Sequence, residues 1–338
     1  MLLAVLTIAV WLMVLGSRPV SNDPSPVRVT IPKGATANEI SSILKGQGLI
    51  RSSYAFVFTC RMSGTGGKLR PGVYELRRTM PLPEIIKNLV RGESLESWVT
   101  FQEGWTARQM ADVLEGKQIA SGDSFVQLAI NGGYEFPEYS FVSGDNLEGY
   151  LFPDTYLIAK GTGAHAIVEK MLQTFETKVV APNKDRIRRV IQGRLGLDAS
   201  GFEDGLARIL TMASMVEREA RIPKDRALVA AVLWNRLKKG MRLEVDATVT
   251  YKPGESRANK AKVYYSDLRS DSPYNTYRHG GLPPAPICNP GLAAINAVLE
   301  PAQVSYLYYV ARPDGSHVFS NTFQEHEKAR NAIRNGKS

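Results

Sequence analysis

Between Glu203 and Ala220 the apolar residues Leu206, Ile209, Leu210, Ala213, Val216 and Ala220 fall on one stripe at about 100° per residue, which predicts an amphipathic helix. Glu217 lies inside that stripe and Glu219 at its edge. Ile222-Pro223-Lys224-Asp225 breaks the pattern and starts a second helix with proline in its first turn. Leu228, Ala231, Val232 and Asn235 share one face of it, and Gly240 stops it. Residues 241–248 alternate apolar and polar, as a half-buried strand does, with Glu244, Asp246 and Thr248 on the polar face. Upstream, helices are expected at about 164–180 and 183–194. Downstream, a helix over 290–299 leads to a hairpin of 306–311 and 317–320 around Pro313-Asp314-Gly315, and a helix over 321–333 closes the chain.

The N-terminal third repeats itself at a spacing of about 70 residues. Val29-Thr30-Ile31 matches Val99-Thr100-Phe101; Gly34, Thr36 and Ala37 match Gly104, Thr106 and Ala107; Ile40, Leu44 and Gly46 match Met110, Leu114 and Gly116. Each copy reads as a strand, a glycine turn, a threonine N-cap and a short helix. A strand over 68–76 and a helix over 83–91 lie between them. This strand-helix-helix-strand pattern has the shape of a LysM-like glycan-binding unit; a generic α+β linker domain fits it equally.

Residues 1–16 are apolar apart from Thr7. A spanning helix takes about 20 residues, so the run is short, yet it has no polar face and lacks the basic start of a signal peptide. The expectation is a retained N-terminal membrane anchor with the chain outside the cytoplasm. The fold class expected is α+β: an anchor at 1–16, a polar proline-bearing linker at 17–26, a LysM-like α/β module at 27–140 and a mixed α+β domain at 141–338.

Composition adds a sign to this picture. Lys and Arg number 42 against 33 Asp and Glu, a net +9, which suits an anionic lipid surface or acidic polymer. The basic run from Lys184 to Arg194 reads as a solvated helix face. An exported chain is not expected to meet nucleic acid. Cys60 and Cys288 have no metal-ligand spacing and the four histidines form no HExxH cluster, so no metal or other cofactor is expected. Cys60 reads as a small buried hydrophobe. A disulfide between the two cysteines is compatible with an oxidising compartment but not demanded.

Three places carry candidate chemistry. A carboxyl in an apolar stripe is expected to hold its proton, and a protonated Glu217 is a candidate general acid. A solvated Glu217–Arg221 pair at i, i+4 is the alternative. The segment 146–156 surrounds Glu148 and Asp154 with aromatic rings, which suits stacking on sugars and equally suits a core strand beside a turn. The Gly- and Pro-rich stretch 272–284, carrying Asn275 and Tyr277, is expected to be a ligand-binding loop.

Five segments together, NLEGYLFPDTY (146–156), MASMVEREA (212–220), NRLKKGMRLEVDATVTY (235–251), SPYNTYRHGGLPPAPICNPG (272–291) and YLYYVARPDGSHVFS (306–320), resemble the YceG-like family of endolytic murein lytic transglycosylases. Ala247 departs from the proline many members carry there. The resemblance implies cleavage of the β-1,4 bond between N-acetylmuramic acid and N-acetylglucosamine in nascent glycan strands, leaving a 1,6-anhydro end and terminating elongation. It implies work at the inner-membrane surface on peptidoglycan, facing the periplasm or cell exterior, near the wall synthases. It assigns the acid to the first glutamate of V-E-x-E, Glu217, so that Glu217→Gln is expected to lose activity and Glu219→Gln much less. Glu148, Asp154, Asn235, Asp246, Asn275, Tyr277 and His317 are the expected substrate-binding groups. A two-carboxylate hydrolase, with Asp246 as base to Glu217, and a non-catalytic wall-binding scaffold built on the repeat remain alternatives.

Overall fold

A computed structural model describes residues 16, 18–92, 94–198, 201–255 and 267–336. Apart from Gly16, the expected anchor at 1–16 lies outside the described residues. Among the described residues, no helix is long and apolar enough to cross a membrane. The chain divides into two compact units. One runs through Thr100 and takes back Thr155–Gly161; the other holds Phe101–Asp154 and the residues from Thr162 onward.

The first unit contains β1 (Pro26–Ile31), α1 (Ala37–Gly46), α2 (Ser53–Met62), β2 (Gly72–Arg77), α3 (Leu82–Arg91), β3 (Glu96–Thr100) and, from later in the chain, β4 (Thr155–Ala159). The strands form one antiparallel sheet in the order β1-β2-β3-β4. Alternate residues Val29 and Ile31 of β1, with Tyr74 and Leu76 of β2, share a core with Ile40, Leu44, Phe56, Ile85 and Leu89. The repeat is visible in its caps: Thr36 and Thr106 each receive the N3 amide while the N3 side chain (Glu39, Gln109) reaches back. The second copy is nevertheless divided. Its strand β3 stays in this sheet because β4 returns to pair with it, and its helix belongs to the second unit. The chain therefore passes from the first compact unit to the second at 100–101, returns at 155 and leaves again after 161.

The second unit contains α4 (Ala107–Gly116), α5 (Gly122–Asn131), α6 (Ala164–Phe175), α7 (Ala181–Val190), α8 (Phe202–Glu219), α9 (Arg226–Lys238), α10 (Asp246–Thr250), α11 (Leu292–Leu299), the hairpin of β5 (Tyr308–Ala311) and β6 (His317–Ser320), and α12 (Phe323–Arg334). The expected break between α6 and α7 is absent. A π-helical turn over Glu176–Val180 carries one helix into the other, and Pro182 lies just past it, so the change of winding falls where a proline inside a continuous helix would otherwise disrupt the i→i−4 ladder. Helix α8 packs against α9, α10 and α11. Its expected stripe is buried, but so are Thr211, Met212, Ser214 and Met215, so residues 209–216 are enclosed on every side and exposure returns at Arg218.

The strand expected at 241–248 does not form. Leu243 and Val245 are buried alternately as expected, but Glu244 sits at φ 55 and the chain turns into α10 at Asp246. The Glu244 amide donates to the Thr276 carbonyl and the Val245 amide to the Thr276 hydroxyl, which replaces a neighbouring strand. The 146–156 aromatics also go to the core: Tyr150 lies 5.6 Å and Phe152 6.5 Å, centroid to centroid, from Phe175.

One buried polar hub ties this unit together. The Asn289 side-chain oxygen accepts from the amides of Gly149 (2.8 Å) and Leu151 (3.1 Å). Its Nδ2 donates to the Trp105 carbonyl (3.1 Å) and Glu148 Oε1 (2.6 Å). Glu148 also accepts from the Ala107 amide (2.9 Å) and the Tyr251 hydroxyl (3.1 Å). Burial outweighs these three donors and pushes the Glu148 carboxyl up to about 7. Asn289→Ala strands two buried amides and is expected to cost about 3 kcal/mol in urea unfolding. A carboxyl raised in the fold contributes stability that is lost as pH rises from about 4.5 to about 7. Asn289→Asp, which adds a second carboxylate, is expected to steepen that loss in unfolding series across this range.

Candidate active site

Glu217 and Glu219 lie two residues apart at the C-terminal end of α8, about 200° around the helix, so they face opposite sides. Glu217 faces inward toward its own partners. Its side chain is 7% exposed, with Oε1 3.3 Å from Arg226 Nη2 and Oε2 accepting the Gly291 amide at 3.0 Å. Gly104, at φ +78, covers its Cγ closely. Glu103, which the sequence reading did not single out, stands beside this pair. Its carboxyl lies over Gly291, where a Cβ would come 2.0 Å from its Cδ. Partial burial and the Glu217 carboxylate push the Glu103 carboxyl up, with Arg226 opposing.

Glu219 faces a cleft of about 250 Å³ lined also by Arg236, Asp246, Tyr277, Tyr309 and His317. The Tyr309 hydroxyl donates to Glu219 Oε2 at 3.0 Å. Burial, reinforced by the neighbouring Asp246 carboxylate, pushes the Glu219 carboxyl up to about 7, against the Tyr309 hydroxyl, Arg218 and the Ala247 amide. Asp246 Oδ1 accepts the Tyr277 hydroxyl at 2.6 Å. Burial and this carboxylate raise the Tyr277 phenol above its ordinary range, and burial with Glu219 does the same for Tyr309. Both phenols therefore stay protonated as donors. Arg236 fixes the floor: Nε donates to the Leu307 carbonyl, and Nη1 to the carbonyls of Arg242 and Leu243 and to Glu244. His317 Nδ1 lies 3.0 Å from Asp225 Oδ2, which also accepts the His317 amide.

The structure thus gathers Asp246, Tyr277 and His317 around Glu219 and disperses the other expected binding groups. Glu148 is sealed in the Asn289 hub. Asp154 pairs with Lys178. Asn275 is fully buried, donates to the Leu268 and Ser270 carbonyls and accepts the Tyr277 amide, so it shapes the loop that presents Tyr277. Asn235 Nδ2 donates to the Val304 and Tyr306 carbonyls, which steers the chain into β5. Of the two loop tyrosines, Tyr274 packs on Tyr251 in the core, and only Tyr277 reaches the cleft. Tyr309 and Arg236 were missed. The signal for Tyr309 was available: in a period-2 strand it shares a face with Ala311, across from the Phe319 pair of β6.

The YceG-like family matches residues 29–332. A Bacillus subtilis relative named endolytic murein transglycosylase is 33% identical over 92% of this chain and 86% of its own. A Streptococcus pneumoniae relative of the same name is 28% identical over 91% of this chain, which spans 58% of that longer protein. A crystal structure of a putative yceG-like protein from Listeria monocytogenes, 32% identical, superposes with a TM-score of 0.63 over 90% of this chain and 98% of that one. With the family matching from the first strand to the last helix, the chain belongs to the YceG-like family.

Proposed function

We propose that this protein is an endolytic peptidoglycan lytic transglycosylase whose acid is Glu219. The observation that carries the assignment is a carboxyl raised to about 7 that opens into a cleft. The names of the relatives support the substrate class. The geometry favours Glu219 over Glu217 because both Glu217 oxygens are engaged by Arg226 and Gly291.

In this reading Glu219 gives its proton to the bridging oxygen between N-acetylmuramic acid and N-acetylglucosamine as the C1–O bond breaks. The resulting carboxylate, steadied by the Tyr309 hydroxyl, takes the proton from the sugar's own C6 hydroxyl. That oxygen closes on C1 to form the 1,6-anhydro ring. The nucleophile is tethered in the substrate, so water takes no part and no second catalytic carboxyl is required. Asp246, held by Tyr277, keeps the proton on Glu219 before reaction and sets negative charge near the developing oxocarbenium. The antiparallel β1 and β2 joined through α1 and α2 support a LysM-like glycan-binding role for the first unit, and the apolar run at 1–16 supports an anchored, outward-facing placement beside the wall synthases.

The competing hydrolase reading rests on Asp246 standing beside Glu219, with Asp246 activating water. Mass spectrometry of products from purified sacculi separates the two. Anhydro ends without added water are expected, and products heavier by one water would establish hydrolysis. Glu219→Gln is expected to fold and to lose about 10²–10⁴-fold in release of anhydro-muropeptides. Glu217→Gln is expected to lose far less turnover but to lower the melting temperature, because it breaks the Arg226 pair; the reverse ranking would return the acid to Glu217. Because the acid must start protonated, kcat/KM is expected to fall as pH rises through about 7. Tyr309→Phe removes a donor to the charged form and should move that alkaline limb upward in the same pH–rate series.

A further inference from the structure

The second unit holds a larger cleft that the reaction does not use. It measures about 720 Å³ and lies between α7, its π-helical extension Ile191–Leu195, α9 and the end of α11. Four cations line it: Arg186, Arg189, Arg194 and Lys238. Glu300 is its acidic lining residue, and that carboxylate is taken by Arg186 Nε at 2.8 Å. Arg186 is further fixed by Asn183 and Asn296, both 2.9 Å or less from its Nη1.

Arg189, Arg194 and Lys238 have no acidic partner among the described residues. The Arg194 guanidinium lies 5.6 Å over the Trp234 ring, and partial burial pulls its pKa down. Trp234 is itself locked, with its indole N–H on the Val298 carbonyl at 3.1 Å. The Trp234 ring, the Arg194 guanidinium laid over it and the two further cations Arg189 and Lys238 thus line one cleft. Guanidinium groups favour planar carboxylates, which they meet two hydrogen bonds at a time. Helix α9 supplies both clefts: Arg236 to the one holding Glu219, and Trp234, Asn235 and Lys238 to this one.

We propose that this basic cleft is a subsite for the carboxylate-bearing peptide substituents of the glycan strand, engaged through Arg189, Arg194 and Lys238. The proposal rests on the murein reading above for the identity of the strand, and on the cleft alone for the acidic-peptide chemistry.

The test is equilibrium binding to the full chain carrying Glu219→Gln, which prevents turnover. Three probes are titrated by calorimetry at two salt concentrations: soluble glycan with its peptides, the same glycan stripped of peptides by an amidase, and the free acidic peptide. Peptide-bearing glycan is expected to bind about tenfold or more tighter than stripped glycan, with the difference shrinking at high salt. Arg189→Glu with Arg194→Glu should erase the difference, and the matching lysine pair should retain most of it. All three cationic side chains are on exposed residues, so circular dichroism is expected to report an unchanged fold. Equal binding of both glycans, or a difference that survives the double charge reversal, overturns the subsite. Binding of the free peptide, abolished by that reversal, with no binding of either glycan would keep the cleft and overturn the murein reading. Inorganic phosphate competing as well as the peptide would reduce the site to a generic anion sink and overturn the peptide assignment.

Discussion

The second unit is organised by the hydrogen bond between Asn289 and Glu148. Around it, four stretches distant in sequence surrender their backbone and side-chain donors to one solvent-free knot. Such a knot stabilises only while every member is satisfied, and here each named donor and acceptor has its partner. The knot also sets the chain that follows it. The Ile287 amide reaches the Ser214 hydroxyl of α8, and the Gly291 amide reaches Glu217 one turn later. The segment 287–291 therefore clamps the end of α8, and the final residue of that helix is the one that emerges into the cleft.

This clamp explains the division of labour between two glutamates that look alike in the sequence. Glu217 spends its charge on Arg226 and the Gly291 amide, joining α8 to α9 and to the 287–291 segment. A buried pair of this kind is costly to break one-sidedly even when its net contribution is small. Glu219, on the opposite side, meets a phenol, a second carboxylate and space. Position on the helix makes one a joint between α8 and α9 and turns the other to the cleft.

The helical skeleton was legible because α8, the hairpin and the threonine-capped helices each carry a local period or cap, and α9 is bracketed by Pro223 and Gly240. The burial of α8 was only half legible. Met212, Met215, Thr211 and Ser214 do not continue an aliphatic stripe, yet the neighbouring helices enclose them, so a single-stripe argument singles out Glu217 and passes over Glu219, which lines the cleft from the stripe's edge. The 241–248 segment misled for a related reason: alternation at Leu243 and Val245 is real, but Thr276 supplies the hydrogen bonds that a strand neighbour would. Asn275 and Asn235 were recognised as special, and both are, as fasteners of loop and hairpin backbone. No local pattern marks Glu103, whose neighbours Gly291, Glu217 and Arg226 come from residues far along the chain.

The hairpin gives the proposed acid a phenolic tether from a residue 90 positions away. The β5–β6 ladder, running from Tyr308↔Ser320 to Ala311↔His317, therefore does more than close the fold. Slipping that ladder by one position would flip Tyr309 to the other surface of the ribbon and leave the carboxyl without its phenol. A one-residue insertion inside either strand therefore reaches the surroundings of Glu219 without touching α8.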